Sequence, residues 1–153
     1  MLEPGAADAI VVTSPAFGEG RPIPRQYTCQ GDGRRPELAW QGVPGDAASL
    51  ALVVSDPDAP RGTFVHWVVY DLPARDGALA AGGPLPAGAR EAENSGGTSG
   101  WYPPCPPSGT HRYRFTVYAL SERVSGRSTQ RILDDVGRRA VARGTLTGVV
   151  AAR

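Results

Sequence analysis

Three runs of mostly apolar residues dominate the chain, and each predicts a β-strand. The first two cover residues 49–55 and 64–72, and both are apolar at nearly every position. Strands of this kind are buried on both faces, so we expect other elements to cover both of their sides. The third strand covers residues 111–120 and alternates in character. One of its faces is predicted to carry His111, Tyr113, Phe115 and Val117, and the other Arg112, Arg114, Thr116 and Tyr118.

The same alternation assigns faces in the second strand. Successive side chains of a strand point to opposite sides of the sheet. We therefore expect one side of this strand to carry Phe64, His66, Val68 and Tyr70.

Shorter patterns predict the remaining elements. In chain order they are a strand at 9–13, an extended edge or loop at 17–24, a strand at 38–40, a long connection over 73–98 with one short strand near 89–92, a helix over 130–142 and a last strand over 145–150. The helix is expected from apolar residues at helical spacing, and Gly144 is its expected stop.

Composition places these elements in one domain. Of the 153 residues, 41% are hydrophobic and 20% are charged, which is typical of a globular chain. The 20 glycines and 15 prolines favour many turns over long helices. We therefore expect a single, mainly β domain over residues 1–153. The net charge of +1 gives no field that would draw the protein to nucleic acid or to an anionic membrane.

Two further observations bear on location and on the cysteines. No apolar run is long enough to predict a membrane span, and Glu3 and Asp8 stand where a signal peptide needs basic and then apolar residues. We expect a cytoplasmic protein. In that reducing compartment Cys29 and Cys105 are expected to be free thiols, with a disulfide between them as the alternative.

The residues that could carry chemistry lie in two stretches. In the first, Asp56 and Asp58 flank a proline in the loop after the first long strand, and His66 follows inside the second. In the second, loop residues 106–110 lead into His111, the only other histidine. Taken singly, such residues more often form turns or complete a core than bind a ligand.

Together they point to an anion-binding pocket at one end of a β-sandwich. A histidine in a pocket can donate one N–H to an anion while a carboxylate, here Asp56 or Asp58, holds its other nitrogen. Tyr113 and the backbone N–H groups of residues 108–110 could add donors. Such a site suits a phosphate, sulfate or carboxylate group. Arg112 points to the opposite side of its strand, and we expect it to pair with Asp58 behind the pocket, with direct contact to the anion as the alternative.

The motifs resemble those of the phosphatidylethanolamine-binding protein family. The resemblance rests on residues 56–60 (Asp-Pro-Asp-Ala-Pro), on His66-Trp67 and on residues 104–113 (Pro-Cys-Pro-Pro-Ser-Gly-Thr-His-Arg-Tyr). Within the family the chain is similar to a short bacterial branch often labelled Raf kinase inhibitor-like. The match runs over residues 14–120, which is most of the domain.

The resemblance implies an antiparallel β-sandwich with Greek-key connections and a pocket for phosphate, acetate or phosphoethanolamine-like anions. Carried over by position, its ligand-binding residues are Asp56, Asp58, Phe64, His66, Pro107, His111 and Tyr113, with Arg112 as a structural arginine. Family members are described as modulators of kinases or proteases, and bacterial relatives suggest a homodimer. The resemblance implies no cofactor. We therefore expect a binding or regulatory protein rather than an enzyme.

Two alternatives use the same residues. The first is an acid–base enzyme, an isomerase, cyclase or lyase of a carboxylated metabolite, whose catalytic groups would be His66, His111, Asp56 and Tyr113. The second is a mononuclear metal site of His66, His111 and Asp56. Because the sequence has no close pair such as His-x-x-x-His, we expect no metal.

Overall fold

The computed structural model describes residues 6–153, which form two stacked β-sheets with one helix on the outer face of the larger sheet. The strands, in chain order, are β1 (Val11–Thr13), β2 (Arg21–Pro22), β3 (Leu38–Gln41), β4 (Ser49–Asp56), β5 (Phe64–Leu72), β6 (Gly77–Leu79), β7 (Arg90–Glu91), β8 (Thr110–Leu120) and β9 (Ala140–Ala151). The helix, α1, covers Thr129–Arg139, and a single 3₁₀ turn covers Arg25–Tyr27.

The larger sheet has six strands in the order β2-β9-β8-β4-β5-β7, and the smaller sheet has three in the order β1-β3-β6. Neighbouring strands run antiparallel except β2, which runs parallel to β9. The predicted mainly β sandwich is confirmed. β2 lies at an edge of the larger sheet, as its proline requires, because proline has no N–H to give to a second neighbour.

The central strand β4 is buried on both faces, as its continuous apolar pattern predicted. One face packs between the two sheets through Leu50, Leu52 and Val54. The other carries Ala51, which packs beneath α1 in a second apolar cluster. Full burial of a leucine side chain contributes roughly 2 kcal/mol. The double burial of β4 therefore ties both sheets and the helix to one strand.

Helix α1 ends three residues earlier than predicted. It begins after Ser128, whose side chain accepts a hydrogen bond from the N–H of Arg131 at 3.2 Å. It ends at Arg139 because Ala140 is already extended (φ −66°, ψ 126°) and begins β9. β9 pairs with β8 from Ala140, opposite Leu120, to Ala151, opposite Thr110. The last predicted helical turn is therefore strand, and Gly144 lies inside β9 instead of ending the helix.

Two bulges in β5 correct the predicted faces of that strand. Val54 pairs with Trp67 and Ser55 with Val65, so His66 is an extra residue without an opposite partner on β4. A second extra residue separates the pairs of Leu52 and Leu50. Each bulge shifts the alternation by one residue. Consequently Val68 and Tyr70 pack on the helix side, whereas Phe64 and His66 face the opposite side, so the expectation that all four share a side was wrong.

The expectation of free thiols was also wrong, because Cys29 and Cys105 form a disulfide. Their Cα atoms lie 5.4 Å apart although 76 positions separate them along the chain. The N–H of Cys29 also donates to the carbonyl of Pro104 at 3.0 Å. The bond joins the segment after the 3₁₀ turn to the proline-rich loop before β8. Within residues 6–153, no helix is long and apolar enough to cross a membrane.

Candidate functional site

Strand order brings the two sequence motifs to one end of the larger sheet. β4 pairs with β5 on one side and with β8 on the other, antiparallel to both. The end of β4 therefore lies beside the beginnings of β5 and β8. This places Asp56, the last residue of β4, next to His66 near the start of β5 and His111 near the start of β8.

A cavity of about 330 Å³ opens at this end of the sheet. Its lining consists of Asp56, Ala59, Pro60, Phe64, His66, Tyr102, Cys105, Pro106, Pro107, His111 and Tyr113. Six of the seven predicted ligand-binding residues are in this set. Asp58 is not, and neither are residues 108–110. Two clefts of about 560 and 570 Å³ lie elsewhere, but neither contains a histidine.

The carboxylate of Asp56 is engaged through both oxygens. Oδ2 lies 2.6 Å from Nδ1 of His111, and Oδ1 accepts the backbone N–H of Asp58 at 2.8 Å. Asp56 and His111 are both buried. The loop contact fixes the carboxylate, and the carboxylate fixes the imidazole. Nδ1 of His111 is therefore the protonated nitrogen of a carboxylate–histidine pair.

His66 is held by the backbone of the proline-rich loop. Its Nδ1 lies 2.7 Å from the carbonyl oxygen of Tyr102, and the N–H of Tyr102 donates to the carbonyl of His66 at 2.9 Å. The ring packs against Phe64 at a centroid distance of 4.7 Å and against Tyr113 at 5.2 Å. Burial lowers the pKa of His66 below the usual value for histidine. This imidazole is therefore kept neutral near pH 7.

Tyr113 stays protonated at neutral pH. Its side chain is fully buried, and burial, reinforced by the negative charge of Asp56, raises the pKa of its hydroxyl far above the usual value. A neutral phenol can donate a hydrogen bond. The cavity thus combines one carboxylate, two imidazoles and one hydroxyl.

Asp58 and Arg112 form an ion pair outside the cavity. Nε and Nη2 of Arg112 lie 3.0 Å from Oδ2 and 2.9 Å from Oδ1 of Asp58, and the N–H of Arg112 also donates to Oδ2 at 2.8 Å. These hydrogen bonds hold the pKa of Asp58 well below its usual range. Asp58 is thus engaged away from the cavity, where it anchors the loop that positions Asp56.

The cavity has two walls of different construction. The strand wall consists of Asp56, Phe64, His66, His111 and Tyr113, and the loop wall consists of Tyr102, Cys105, Pro106 and Pro107. Sequence reasoning missed most of the loop wall and also Ala59 and Pro60. The proline cluster was noticed, but no periodic pattern shows which of its side chains face inward. Among residues 6–153, no group of three or more His, Cys, Asp or Glu side chains is arranged to hold a metal ion.

Comparison with known proteins identifies the family to which the chain belongs. The family model described as "Phosphatidylethanolamine-binding protein" matches residues 13–151. The chain belongs to the phosphatidylethanolamine-binding protein family. The resemblance seen in the motifs is therefore confirmed, and the match includes all residues of both cavity walls.

Two solved structures described as members or homologues of this family superimpose on nearly the whole chain. A homologue from Chlamydia trachomatis superimposes with a TM-score of 0.87 at 37% identity, over 96% of this chain and 100% of that one. Escherichia coli YbcL, described as a member of the mammalian family, superimposes with a TM-score of 0.86 at 31% identity, over 95% of this chain and 99% of that one.

A relative from Mycobacterium tuberculosis, named as the lipoprotein LppC, is 48% identical over 117 residues. The match covers 75% of this chain and 57% of that protein, so the chain spans little more than half of this relative's length.

Proposed function

We propose that the protein binds a small ligand through a phosphate or carboxylate group in the cavity between its two walls. The main support is that four polar side chains from three neighbouring strands line one cavity, namely Asp56, His66, His111 and Tyr113. Two imidazoles and a neutral phenol beside a cavity of this size suit an oxyanion and a short substituent, because ligand sites pair an apolar lining with a few placed polar groups.

Calorimetric titration with inorganic phosphate and with phosphoethanolamine tests this proposal. We expect saturable binding that weakens at least about tenfold in His66→Ala and in His111→Ala, because each change removes a polar group from the cavity. Arg127→Ala is the matched control, since Arg127 is exposed in a different cleft and its loss should leave the affinity unchanged. Binding by both histidine variants at wild-type affinity would refute the proposal.

The wider role follows from the family and is part of the proposal. By resemblance to the family, the protein would be a regulatory protein that modulates a kinase or protease and whose cavity binds a ligand. The resemblance also suggests a homodimer. The cytoplasmic location also stays a prediction, and the relative named as a lipoprotein is a reason to test it by cell fractionation. A cytoplasmic protein should be recovered without membrane association.

A second candidate function rests on one contact. His111 paired with Asp56 at 2.6 Å is the arrangement that orients a general base, with its other nitrogen free to accept a proton. Acid–base turnover of a carboxylated metabolite is therefore the alternative. If the protein is such an enzyme, Asp56→Asn should abolish turnover while Arg127→Ala should not. Turnover that persists in Asp56→Asn would exclude this role for the pair.

A further inference from the structure

We infer that the cavity selects an oxyanion that still carries a proton, such as a hydrogen phosphate or a phosphomonoester monoanion, over sulfate and over phosphodiesters. This inference rests on the proposed function and adds the ligand class to it. The cavity offers a ring nitrogen of His66 that can only accept a hydrogen bond next to the hydroxyl of Tyr113, which can donate one. An HO–P–O⁻ edge complements both.

The contact of His66 with Tyr102 decides which nitrogen of the ring is the acceptor. A carbonyl oxygen can only accept, so the 2.7 Å contact requires the hydrogen of His66 to be on Nδ1. In the neutral ring, Nε2 then carries a lone pair and no hydrogen. The burial that lowers the pKa of His66 keeps the ring in this neutral state. A bare anionic oxygen against Nε2 would place one lone pair against another.

The donor beside this acceptor is the hydroxyl of Tyr113. Burial raises the pKa of Tyr113 far above its usual value, so the phenol keeps its hydrogen at neutral pH and can donate it. The ring of Tyr113 lies edge-on to that of His66 at a centroid distance of 5.2 Å, and both side chains line the cavity. His111 is held by a carboxylate instead of a carbonyl, since its Nδ1 lies 2.6 Å from Oδ2 of Asp56.

Both Nε2 atoms are accessible to a ligand. Neither makes a hydrogen bond with the described residues, yet the only fully buried side-chain polar atom without a partner among residues 6–153 is the hydroxyl of Ser49. The two nitrogens therefore reach solvent, and both rings line the cavity.

The groups facing His66 come from every neighbouring element. Asp56 lies on β4, His111 and Tyr113 lie on β8, and Tyr102 lies in the proline-rich loop. Asp56 favours a charge on His66, and a charged His111 opposes it. Burial is the largest influence on His66, and the net result is a lowered pKa. A protonated oxyanion supplies the donor that His66 needs without charging its ring.

Anions of similar size test this inference because they differ in their protons. Inorganic phosphate keeps a P–OH group across neutral pH, whereas sulfate and phosphodiesters have none. Phosphomonoesters such as phosphoethanolamine lose theirs above a pKa of about 6. At pH 7 we expect phosphate to bind at least about tenfold more tightly than sulfate or dimethyl phosphate, since an unpaired nitrogen forfeits a hydrogen bond. At pH 8, phosphoethanolamine should take up about one proton as it binds, measured by calorimetry in buffers of different ionisation enthalpy.

His66→Gln provides the variant that isolates the acceptor. A glutamine amide can turn either its N–H₂ or its C=O towards the ligand. The affinities for phosphate and sulfate should therefore differ by less than about threefold in this variant. Thermal denaturation checks that the variant is folded. If it is not, the wild-type comparison of phosphate with sulfate decides the matter alone.

The outcomes separate this inference from the proposed function. Equal affinity of wild-type protein for phosphate and sulfate would overturn the selection for a proton and leave the anion site intact. No binding of either anion would overturn the proposed function itself. An unchanged phosphate preference in folded His66→Gln would show that His66 does not accept a hydrogen bond from the P–OH group, and would also overturn the inference.

Discussion

The two walls of the cavity are held in place by different forces. The strand wall belongs to three neighbouring strands whose ladder hydrogen bonds and buried side chains are continuous with the core. The loop wall depends on local contacts: the backbone pair between Tyr102 and His66, the bond from Cys29 to Pro104 and the disulfide of Cys105. Disturbing the strand wall therefore means disturbing the fold, whereas the loop wall can move without unfolding the sheets.

This difference between the walls explains where the polar groups of the site lie. The groups that need fixed orientation are on the rigid wall, where positions are set by packing shared with the whole domain. The loop wall supplies mainly shape, through prolines and an aromatic ring, with its local order maintained by fixed φ angles and one covalent bond. The loop wall also acts on His66 through the carbonyl of Tyr102, which accepts the Nδ1 hydrogen and sets the tautomer of that ring.

Removing a core side chain behind the strand wall should have the largest effect. Phe115 is fully buried and packs against Phe17 and Trp101 at centroid distances of 5.5 and 6.2 Å. Phe115→Ala is expected to lower the free energy of unfolding by about 4 kcal/mol, measured by urea denaturation. Phosphate affinity of the folded fraction should change less than about threefold.

Phe115→Leu is the control for this prediction. It keeps most of the volume and should cost less than about 1.5 kcal/mol. If Phe115→Ala abolished binding while leaving stability intact, the strand wall would not be part of the core, and the distinction between the walls would fail.

Breaking the disulfide should have the next largest effect on stability. Unlike Phe115→Ala, it should also weaken binding strongly. Cys29→Ser is expected to cost about 3 kcal/mol of stability, because the bond closes a long loop in the unfolded chain. It should also release the loop wall and weaken phosphate binding by about tenfold or more. Reduction of the wild-type protein by dithiothreitol should reproduce both effects, and reoxidation should reverse them. Unchanged phosphate affinity after reduction would show that the bond does not maintain the cavity.

The smallest expected effect is a pH dependence that His66 contributes. Its folded-state pKa is below the ordinary value of about 6.5, so the unfolded chain binds more protons as pH falls below that value. Stability should therefore decline on acidification from about pH 6.5, measured by urea denaturation at a series of pH values. His66→Gln should lack this decline.

Two carboxylates make the stability depend on pH over a separate, more acidic range. Backbone hydrogen bonds from Gly126 and Ser125 lower the pKa of Asp135 to about 2, and Arg112 lowers that of Asp58. The stability that these two provide is present above an ordinary pKa of about 4 and is lost as pH falls below it. An identical decline near pH 6 in wild type and His66→Gln would show that His66 is not the group responsible.

Much of the fold could be predicted because long strands follow apolar patterns. β4, β5 and β8 appear within one residue of their predicted bounds. The two motifs could be placed at one end of the sheet because each borders such a strand. The short β6 could not be predicted, since its Gly-Ala-Leu sequence has no strand signal and pairing with β3 alone makes it a strand.

The remaining misses have a common physical reason. The end of α1, the bulge at His66 and the disulfide all depend on partners distant in sequence, namely β8, β4 and the loop before β8. Local propensity carries no information about them. The face of His66 was assigned correctly relative to Phe64, but Val68 and Tyr70 were misplaced because strict alternation cannot anticipate an inserted residue.

The bulge in β5 also gives the protein an internal optical reporter. Because His66 is the extra residue, it and the adjacent Trp67 lie on the same side of the sheet, the first in the cavity and the second in the core. The indole N–H of Trp67 donates to Glu91 at 2.6 Å, and its ring meets Trp101 edge-on at 5.9 Å. Trp101 in turn precedes Tyr102 of the loop wall. We therefore expect occupancy of the cavity to change the intrinsic tryptophan fluorescence, so that binding can be followed without attaching a dye.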